Sequence, residues 1–367
     1  MKKQVQFAIM QYAKHKIITA FIALLLVPAM LTAAQNGSGK VAGLSFIARS
    51  VANLEKTILY YETLGFKLSG KPSDWKVDEG LNRLLGTPGV ESRTAEMIAQ
   101  SSVSAVPFGF TLREFRGVER SDWSKLSSSD LLSGHMDLTV MNDCRPWLEE
   151  LEAKGQLMQP GDGNLPGRGG ENEGPIRFVF VQDPDGWYVE LFALTPPPPG
   201  EKPEPKVANS TATMQNIDRT GYQEGFNHVG LNVIDPETAQ HFYEDVLGGD
   251  YPPLNLGGGG ASNDGTPRMV MMHGWFPQAK TDAGLRVELI KFPQNEGKQA
   301  PDMKIVDIGV TVVGFEVEDI DAVYKRVVDA GAITVSTGGI QSTANGRTVL
   351  LRDPDVGGYL QFWEPEE

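Results

Sequence analysis

Hydrophobic and polar residues alternate through residues 225–233, and this alternation predicts a strand with two chemically different faces. The two faces carry Val229, Leu231 and Val233 on one side and His228, Gly230 and Asn232 on the other. A helix is predicted directly after the strand, because Asp235 suits the N-cap and Pro236 suits the first helical position. The unit is therefore a strand that carries a histidine opposite its apolar face and leads into a helix.

The same succession of strand, capping residue, helix and closing strand recurs along the chain. The predicted first strands lie at residues 44–51, 135–140, 225–233 and 310–317, and the closing strands at 108–115, 187–192, 285–290 and 359–363. Two of the closing strands follow an Asp-Pro-Asp turn, at residues 183–185 and 353–355. Four copies at a period of about 60 to 90 residues are too widely spaced for a solenoid and indicate duplicated domains.

A proline-rich stretch at residues 196–220 divides these copies into two pairs and predicts a stiff, extended linker. We call each copy a module. The N-terminal domain, residues 41–195, then holds module one (41–118) and module two (132–195). The C-terminal domain, residues 221–367, holds module three (221–294) and module four (305–367).

The first 34 residues have a different composition. Four lysines precede an apolar run at residues 17–34, which ends in small residues at Ala33 and Ala34. This order is typical of a secretory signal that is removed on export, so a periplasmic or extracellular location is expected. The apolar run is long enough that an uncleaved N-terminal membrane anchor is the alternative.

Charge narrows the range of partners. Without residues 1–34 the chain keeps 29 basic and 47 acidic residues, a net charge of −18. Such a balance disfavours nucleic acids and anionic membrane surfaces, and a small-molecule substrate is expected instead. Cys144 is the single cysteine, so it forms no intrachain disulfide, and we expect it to pack at a strand–helix junction. Nothing in the sequence separates a monomer from a homodimer.

The repeated modules resemble the vicinal oxygen chelate superfamily, which includes glyoxalase I, extradiol dioxygenases and bleomycin-resistance proteins. The resemblance rests on residues 60–66, 183–191, 228–233 and 315–321, and it extends over most of the mature chain. It implies an α+β fold of four βαβββ modules, paired into curved mixed sheets around a metal-centred cavity. In this family a histidine of a module's first strand and a glutamate of its last strand are the usual metal ligands.

The resemblance assigns a pair of positions to each module. Module two has His135 and Glu190, module three has His228 and Glu288, module one has Phe46 and Glu114, and module four has Val312 and Gln361. Pairing modules within each domain would give two incomplete sites. Pairing module two with three, and one with four, gives one intact His2Glu2 site and one degenerate pseudo-site, and this interdomain pairing is our prediction.

Two imidazoles and two carboxylates suit one divalent ion such as Zn, Ni, Co, Mn or Fe. The resemblance then implies lyase or isomerase chemistry of the glyoxalase type, in which Glu190 or Glu288 is a catalytic base and the metal stabilises an enediolate. A ring-cleaving dioxygenase and a non-catalytic binding or resistance protein are the alternatives. The histidines could also be ordinary hydrogen-bonding residues. His273 could reach the cavity as an acid or base, although an ordinary strand position is the simpler interpretation.

Overall fold

The structure, a computed structural model, describes residues 39–103, 106–158, 175–194, 223–251, 269–278 and 281–366. The predicted signal and linker lie outside these residues and stay predictions. Contacts group Lys40–Glu367 into one compact unit. Within the described part of the chain, no helix has the length and apolar character needed to cross a membrane.

Each module contributes strands and a helix in a similar order. Module one contains β1 (Val41–Val51), α1 (Leu54–Thr63), β2 (Lys67–Leu68), β3 (Lys76–Val77), α2 (Glu79–Leu85), β4 (Glu91–Ala99) and β5 (Phe108–Arg116). Module two contains β6 (His135–Met141), α3 (Arg145–Ala153), β7 (Phe178–Gln182) and β8 (Tyr188–Leu194). Module three contains β9 (Gly225–Asn232), α4 (Pro236–His241), a π-helical turn (Phe242–Val246), β10 (Val270–Gln278) and β11 (Thr281–Lys291). A 3-10 turn (Pro293–Asn295) precedes module four, which contains β12 (Thr311–Val317), α5 (Ile320–Asp329), β13 (Ile333–Thr334), β14 (Gln341–Thr343), β15 (Gly346–Arg352) and β16 (Tyr359–Pro365).

Short polar side chains start the helices where the sequence predicts. The Asn53 side chain accepts a hydrogen bond from the backbone N–H of Lys56 at the start of α1, and Asp235 caps α4. At the start of α3, the N-cap is neither Asn142 nor Asp143, although both are residue types that favour this position. Cys144 occupies that position, because the Asp143 carboxylate bridges the backbone N–H groups of residues 145 and 176 instead. Burial raises the pKa of the Cys144 thiol to about 12, which fits a packing role.

The strands form two open mixed sheets, and each sheet takes strands from both sides of the predicted linker. Sheet one joins modules one and four in the order β13-β15-β16-β12-β1-β5-β4-β2, with β14 beside β15 and β3 beside β4. Sheet two joins modules two and three in the order β10-β11-β9-β6-β8-β7. The α+β class and the predicted interdomain pairing of modules are confirmed.

One pattern of strand pairing applies to both sheets. The first and last strands of each module are parallel neighbours, as in the pair β6 and β8 and the pair β9 and β11. The first strands of two modules then meet as an antiparallel pair at the centre, β6 with β9 and β1 with β12. This arrangement places the first and last strands of two modules side by side, so that four of the predicted site positions meet on adjacent strands.

The two Asp-Pro-Asp turns connect the modules within each half of the chain. Asp185 accepts a hydrogen bond from the backbone N–H of Ala52, which immediately precedes the N-cap of α1. Asp355 accepts the equivalent bond from Ile234, which immediately precedes the N-cap of α4. The neighbouring Asp183 is fully buried and pairs with Arg49 of β1 at 3.2 Å. The sheets therefore join modules across the linker, while these turns join modules on the same side of it.

Replacing Asp353 by asparagine is expected to flatten the pH dependence of stability. Burial raises the pKa of Asp353 to about 6, so the folded protein holds this proton more tightly than the unfolded chain does. Stability is therefore lost as the pH rises from about 4 to about 6, by at most about 3 kcal/mol. Asparagine can still accept hydrogen bonds from the backbone N–H groups of Asp355 and Val356, which Asp353 accepts now, without ionising.

Chemical denaturation across pH 4–7 measures this effect. Asp302, whose side chain is 87% exposed, offers a matched control, and Asp302→Asn should follow the wild-type profile. An Asp353→Asn profile parallel to that of the wild type would show that the ionisation of Asp353 does not limit stability.

Candidate metal centre

Register across sheet two places the candidate site on two adjacent rows of side chains. In the first row, Glu288 of β11, Gly230 of β9 and His135 of β6 lie opposite one another on neighbouring strands. The second row is displaced by two residues along the strands. It contains, side by side, Arg286 of β11, His228 of β9, Asp137 of β6 and Glu190 of β8. Because side chains two residues apart point to the same face of a sheet, both rows face one cavity.

Four candidate ligand atoms converge where the rows meet. His135 Nε2 lies 3.1 Å from Glu190 Oε2, 3.2 Å from Glu288 Oε2 and 3.2 Å from His228 Nε2. His228 Nε2 lies 3.6 Å from Glu288 Oε2 and 3.9 Å from Glu190 Oε2. The structure thus brings together all four residues that the sequence predicts as ligands.

Gly230 makes this convergence possible. A Cβ atom built on Gly230 would lie 2.0 Å from Cε1 and 2.3 Å from Nδ1 of the His135 ring. The His135 side chain therefore lies directly over the backbone of the neighbouring strand and reaches Glu288 on the strand beyond. Any larger residue at position 230 would displace the imidazole.

The separations between these atoms are in the range found for ligands of a divalent ion. Ligand atoms about 2.1 Å from a common ion are separated by about 3.0 Å in octahedral geometry and about 3.4 Å in tetrahedral geometry. The five separations given above run from 3.1 to 3.9 Å, and two overlapping groups have ligand atoms within 4.8 Å of one another, His135/His228/Glu288 and Asp137/Glu190/His228. Asp137 adds a second argument, because it is only 1% exposed and both of its carboxylate oxygens lack a hydrogen-bond partner in the described structure. Three carboxylates held this closely in a buried site need bound protons or a cation to offset their charge.

Proton affinities in the site reflect the same crowding of charge. Burial alone would lower the pKa of His135, but hydrogen bonds to Glu190 and Glu288 outweigh it and raise the pKa to about 10. Burial and then the charge of Arg286 hold the pKa of His228 well below its usual value. Burial and then the charge of Glu190 raise the pKa of Asp137 far above its usual value. A proton on His135 thus occupies the position that a cation would take, and metal binding would release it.

Three further residues of the site were missed or only left open by the sequence analysis. His273 Nε2 lies 3.3 Å from Glu288 Oε1, so this histidine does reach the cavity. Asp137 and Arg286 were not singled out, although each stands two residues from a predicted ligand. Strand alternation places residues at this spacing on the same face, and this signal would have found both.

The equivalent rows of sheet one show why the pseudo-site has lost its ligands. Phe46 lies opposite Gly314, as His135 lies opposite Gly230, and Val312 and Gln361 occupy the predicted equivalent positions. An apolar cluster packs on this face and joins Ala48, Val312, Leu350 and Tyr359 to Leu84 and Leu85 of α2 and to Met303, Ile305 and Val310. This face of sheet one is therefore a packed core.

The assignment of Glu114 to the pseudo-site is wrong. Thr111 of β5 lies beside Ala48 of β1. In the same register of sheet two, Glu190 of β8 lies beside Asp137 of β6. Glu114 comes three residues later and faces the other way, where its Oε2 accepts hydrogen bonds from the backbone N–H of Leu54 and from Arg93. An acidic side chain at the N-terminus of α1 is favourable, which accounts for its position.

The site opens into a cavity of about 620 Å³. Its polar floor is formed by the two rows of side chains. Its walls are largely apolar and include Phe178, Phe180, Tyr188, Phe192, Met271, Trp275, Ile290 and Phe292. A cavity of this size and character suits a small organic molecule.

Comparisons with known proteins agree with this architecture. Residues 225–360 match the family model described as the Glyoxalase/Bleomycin resistance protein/Dioxygenase superfamily. Crystal structures of two point mutants of glyoxalase I from Zea mays are similar to this chain. One has a TM-score of 0.54 at 19% identity and covers 91% of this chain and 96% of that one. The other has a TM-score of 0.52 at 20% identity, with 92% and 96% covered.

A search of curated proteins by sequence finds no match. The structural likeness extends over nearly the whole chain and supports the fold, whereas the family model covers module three and most of module four. Residues 225–360 therefore match the glyoxalase/bleomycin resistance protein/dioxygenase superfamily, and nearly the whole chain has the fold of glyoxalase I, a vicinal oxygen chelate protein.

Proposed function

We propose that this protein is a metal-dependent enzyme with glyoxalase-like lyase or isomerase chemistry on a small substrate that offers two oxygen atoms. The observation that supports it is the convergence of His135, His228, Glu190 and Glu288 beside the Asp137 carboxylate, which accepts no hydrogen bond from the described residues. The first four residues would hold one divalent ion. Bound there, the ion would supply the positive charge that stabilises an enediolate formed from the substrate.

The two glutamates differ in how firmly they are held. Both carboxylate oxygens of Glu288 have imidazole neighbours, His135 at Oε2 and His273 at Oε1. Glu190 makes its imidazole contacts through Oε2 alone, and its side chain is more exposed, at 12% against 5% for Glu288. Glu288 is therefore the better fixed ligand, and Glu190 is the better candidate for the base that moves a substrate proton.

Elemental analysis of the protein purified with Zn, Ni, Co, Mn and Fe available is the direct test. About one equivalent of one divalent ion is expected for the wild type, and a large loss for His135→Ala, which removes the ligand at the centre of the cluster. The control is His241→Ala, since the side chain of His241 is 62% exposed on α4. A wild-type protein free of metal under these conditions would refute the proposal.

A ring-cleaving dioxygenase is the second candidate, because His135, His228 and Glu288 alone form a compact group of two histidines and one carboxylate. This ligand set is typical of non-haem Fe(II) oxygenases. Anaerobic purification distinguishes the two functions. Bound Fe(II) with catechol-dependent oxygen uptake would favour the dioxygenase, and bound Zn or Ni without uptake would exclude it.

A further inference from the structure

Arg286 is a cation in the cavity that forms no direct ion pair with a carboxylate of the described residues, although its charge acts on Asp137 two strands away. It is the one lysine or arginine among the described residues that line the cavity. Its guanidinium contacts only neutral groups in the described structure, namely the Asn227 Oδ1 atom and the Nδ1 atoms of His228 and His273. A half-buried guanidinium pairs most favourably with a carboxylate, which it can bind through two parallel hydrogen bonds.

The position of Arg286 is fixed relative to the four-ligand cluster. Its Nη2 atom lies 2.9 Å from Nδ1 of His228, whereas Nε2 of the same ring faces the cluster. Asn227 accepts hydrogen bonds from both Nε and Nη2 and so holds the guanidinium in place. The His228 ring would therefore separate an anion bound to Arg286 from the four-ligand cluster.

Aromatic side chains lie on the opposite side of the cluster. Phe180 of β7 contacts both Phe178 and Tyr188 edge to face, and we call these three side chains the aromatic wall. Phe180 also lies edge-on to the His135 ring. Phe178 is 46% exposed although it is a large apolar residue, which marks this wall as a surface for an apolar ligand.

From this order across the cavity we propose that the ligand is an organic acid. Its carboxylate binds Arg286, its aromatic or bulky apolar group packs on the aromatic wall, and a chelating pair of oxygen atoms between them faces the cluster. The assignment of the chelating oxygens rests on the proposed metal-dependent function, whereas the assignment of the carboxylate and the apolar group does not.

Two matched pairs of probes test these parts separately by titration calorimetry. The chelating pair is 4-phenyl-2,4-dioxobutanoate and 1-phenylbutane-1,3-dione, which has a methyl group in place of the carboxylate. The non-chelating pair is 4-phenylbutanoate and its neutral amide. The wild type is expected to bind each acid about tenfold or more tightly than its neutral partner, the usual effect of a charge-assisted contact.

Arg286→Gln is expected to abolish both preferences. Arg347 pairs with Asp321 and Glu364 away from the cavity, so Arg347→Gln should preserve both preferences. Preferences that are absent in the wild type, or that persist in Arg286→Gln, would overturn the proposal. A metal-free protein that still prefers 4-phenylbutanoate through Arg286 would refute the metal-dependent function and support the acid site. A wild-type protein that binds metal but shows neither preference would support the metal-dependent function and refute the acid site.

Discussion

Replacing Glu190 by glutamine is expected to leave the metal bound and to slow proton transfer by about 10² to 10⁴-fold. The amide oxygen of glutamine can still ligate a cation, but the amide accepts no proton. Glu288→Gln is expected to act through the metal instead. Its amide nitrogen would face either the cluster or His273, and both of these positions favour a carboxylate oxygen. This variant should therefore lose most of its metal.

Elemental analysis and deuterium exchange at the α-carbon of 1,3-dihydroxypropan-2-one, followed by NMR in D₂O, measure the two properties on the same samples. Equal effects of the two substitutions on both properties would show that the glutamates share one role. Organic ligands that bind equally well to His228→Ala and Glu190→Ala would favour a non-catalytic binding protein instead.

Gly230→Ala is expected to abolish metal binding, although it changes none of the four residues predicted to hold the metal. The added methyl group would lie 2.0 Å from Cε1 of His135 and force the imidazole away from Glu190 and Glu288. Overpacking of this kind also costs about 1–3 kcal/mol of stability. Elemental analysis gives the metal content, and urea denaturation gives the stability.

Sheet one supplies a matched control for this substitution. Gly314 lies opposite Phe46 as Gly230 lies opposite His135, and a Cβ on Gly314 would lie 2.2 Å from the Phe46 ring. Gly314→Ala should therefore lose a similar amount of stability and keep its metal. A Gly230→Ala protein with full metal content would show that the position of His135 over the neighbouring strand is dispensable.

Local signals account for what the sequence predicts correctly. The alternation through residues 225–233 defines the face that carries His228, and capping residues such as Asn53 and Asp235 mark helix starts that the structure contains. The predicted ligands are a histidine in the first strand and a glutamate in the last strand of a module. They meet because these two strands are parallel neighbours in the sheet. Their role as ligands stays a prediction.

Register explains what the sequence does not provide. Thr111 and Glu114 both lie in β5, and only the pairing of β5 with β1 shows which of them lies beside Ala48. The roles of Asp137 and Arg286 likewise depend on which residues of neighbouring strands lie opposite them. Such relations are set by hydrogen bonds between distant segments, and a single strand's pattern does not contain them.

The pairing of modules across the linker has a consequence for the order in which the chain can fold. Val41 pairs with Val317, and His135 pairs with Gly230, so neither sheet is complete until most of the chain has been synthesised. During translation the N-terminal half must wait with the edges of β1 and β6 unpaired, and exposed edges of this kind invite aggregation. Folding dominated by such distant contacts is slow. We therefore expect this protein to depend on chaperones more than a protein of equal length whose domains fold one after the other.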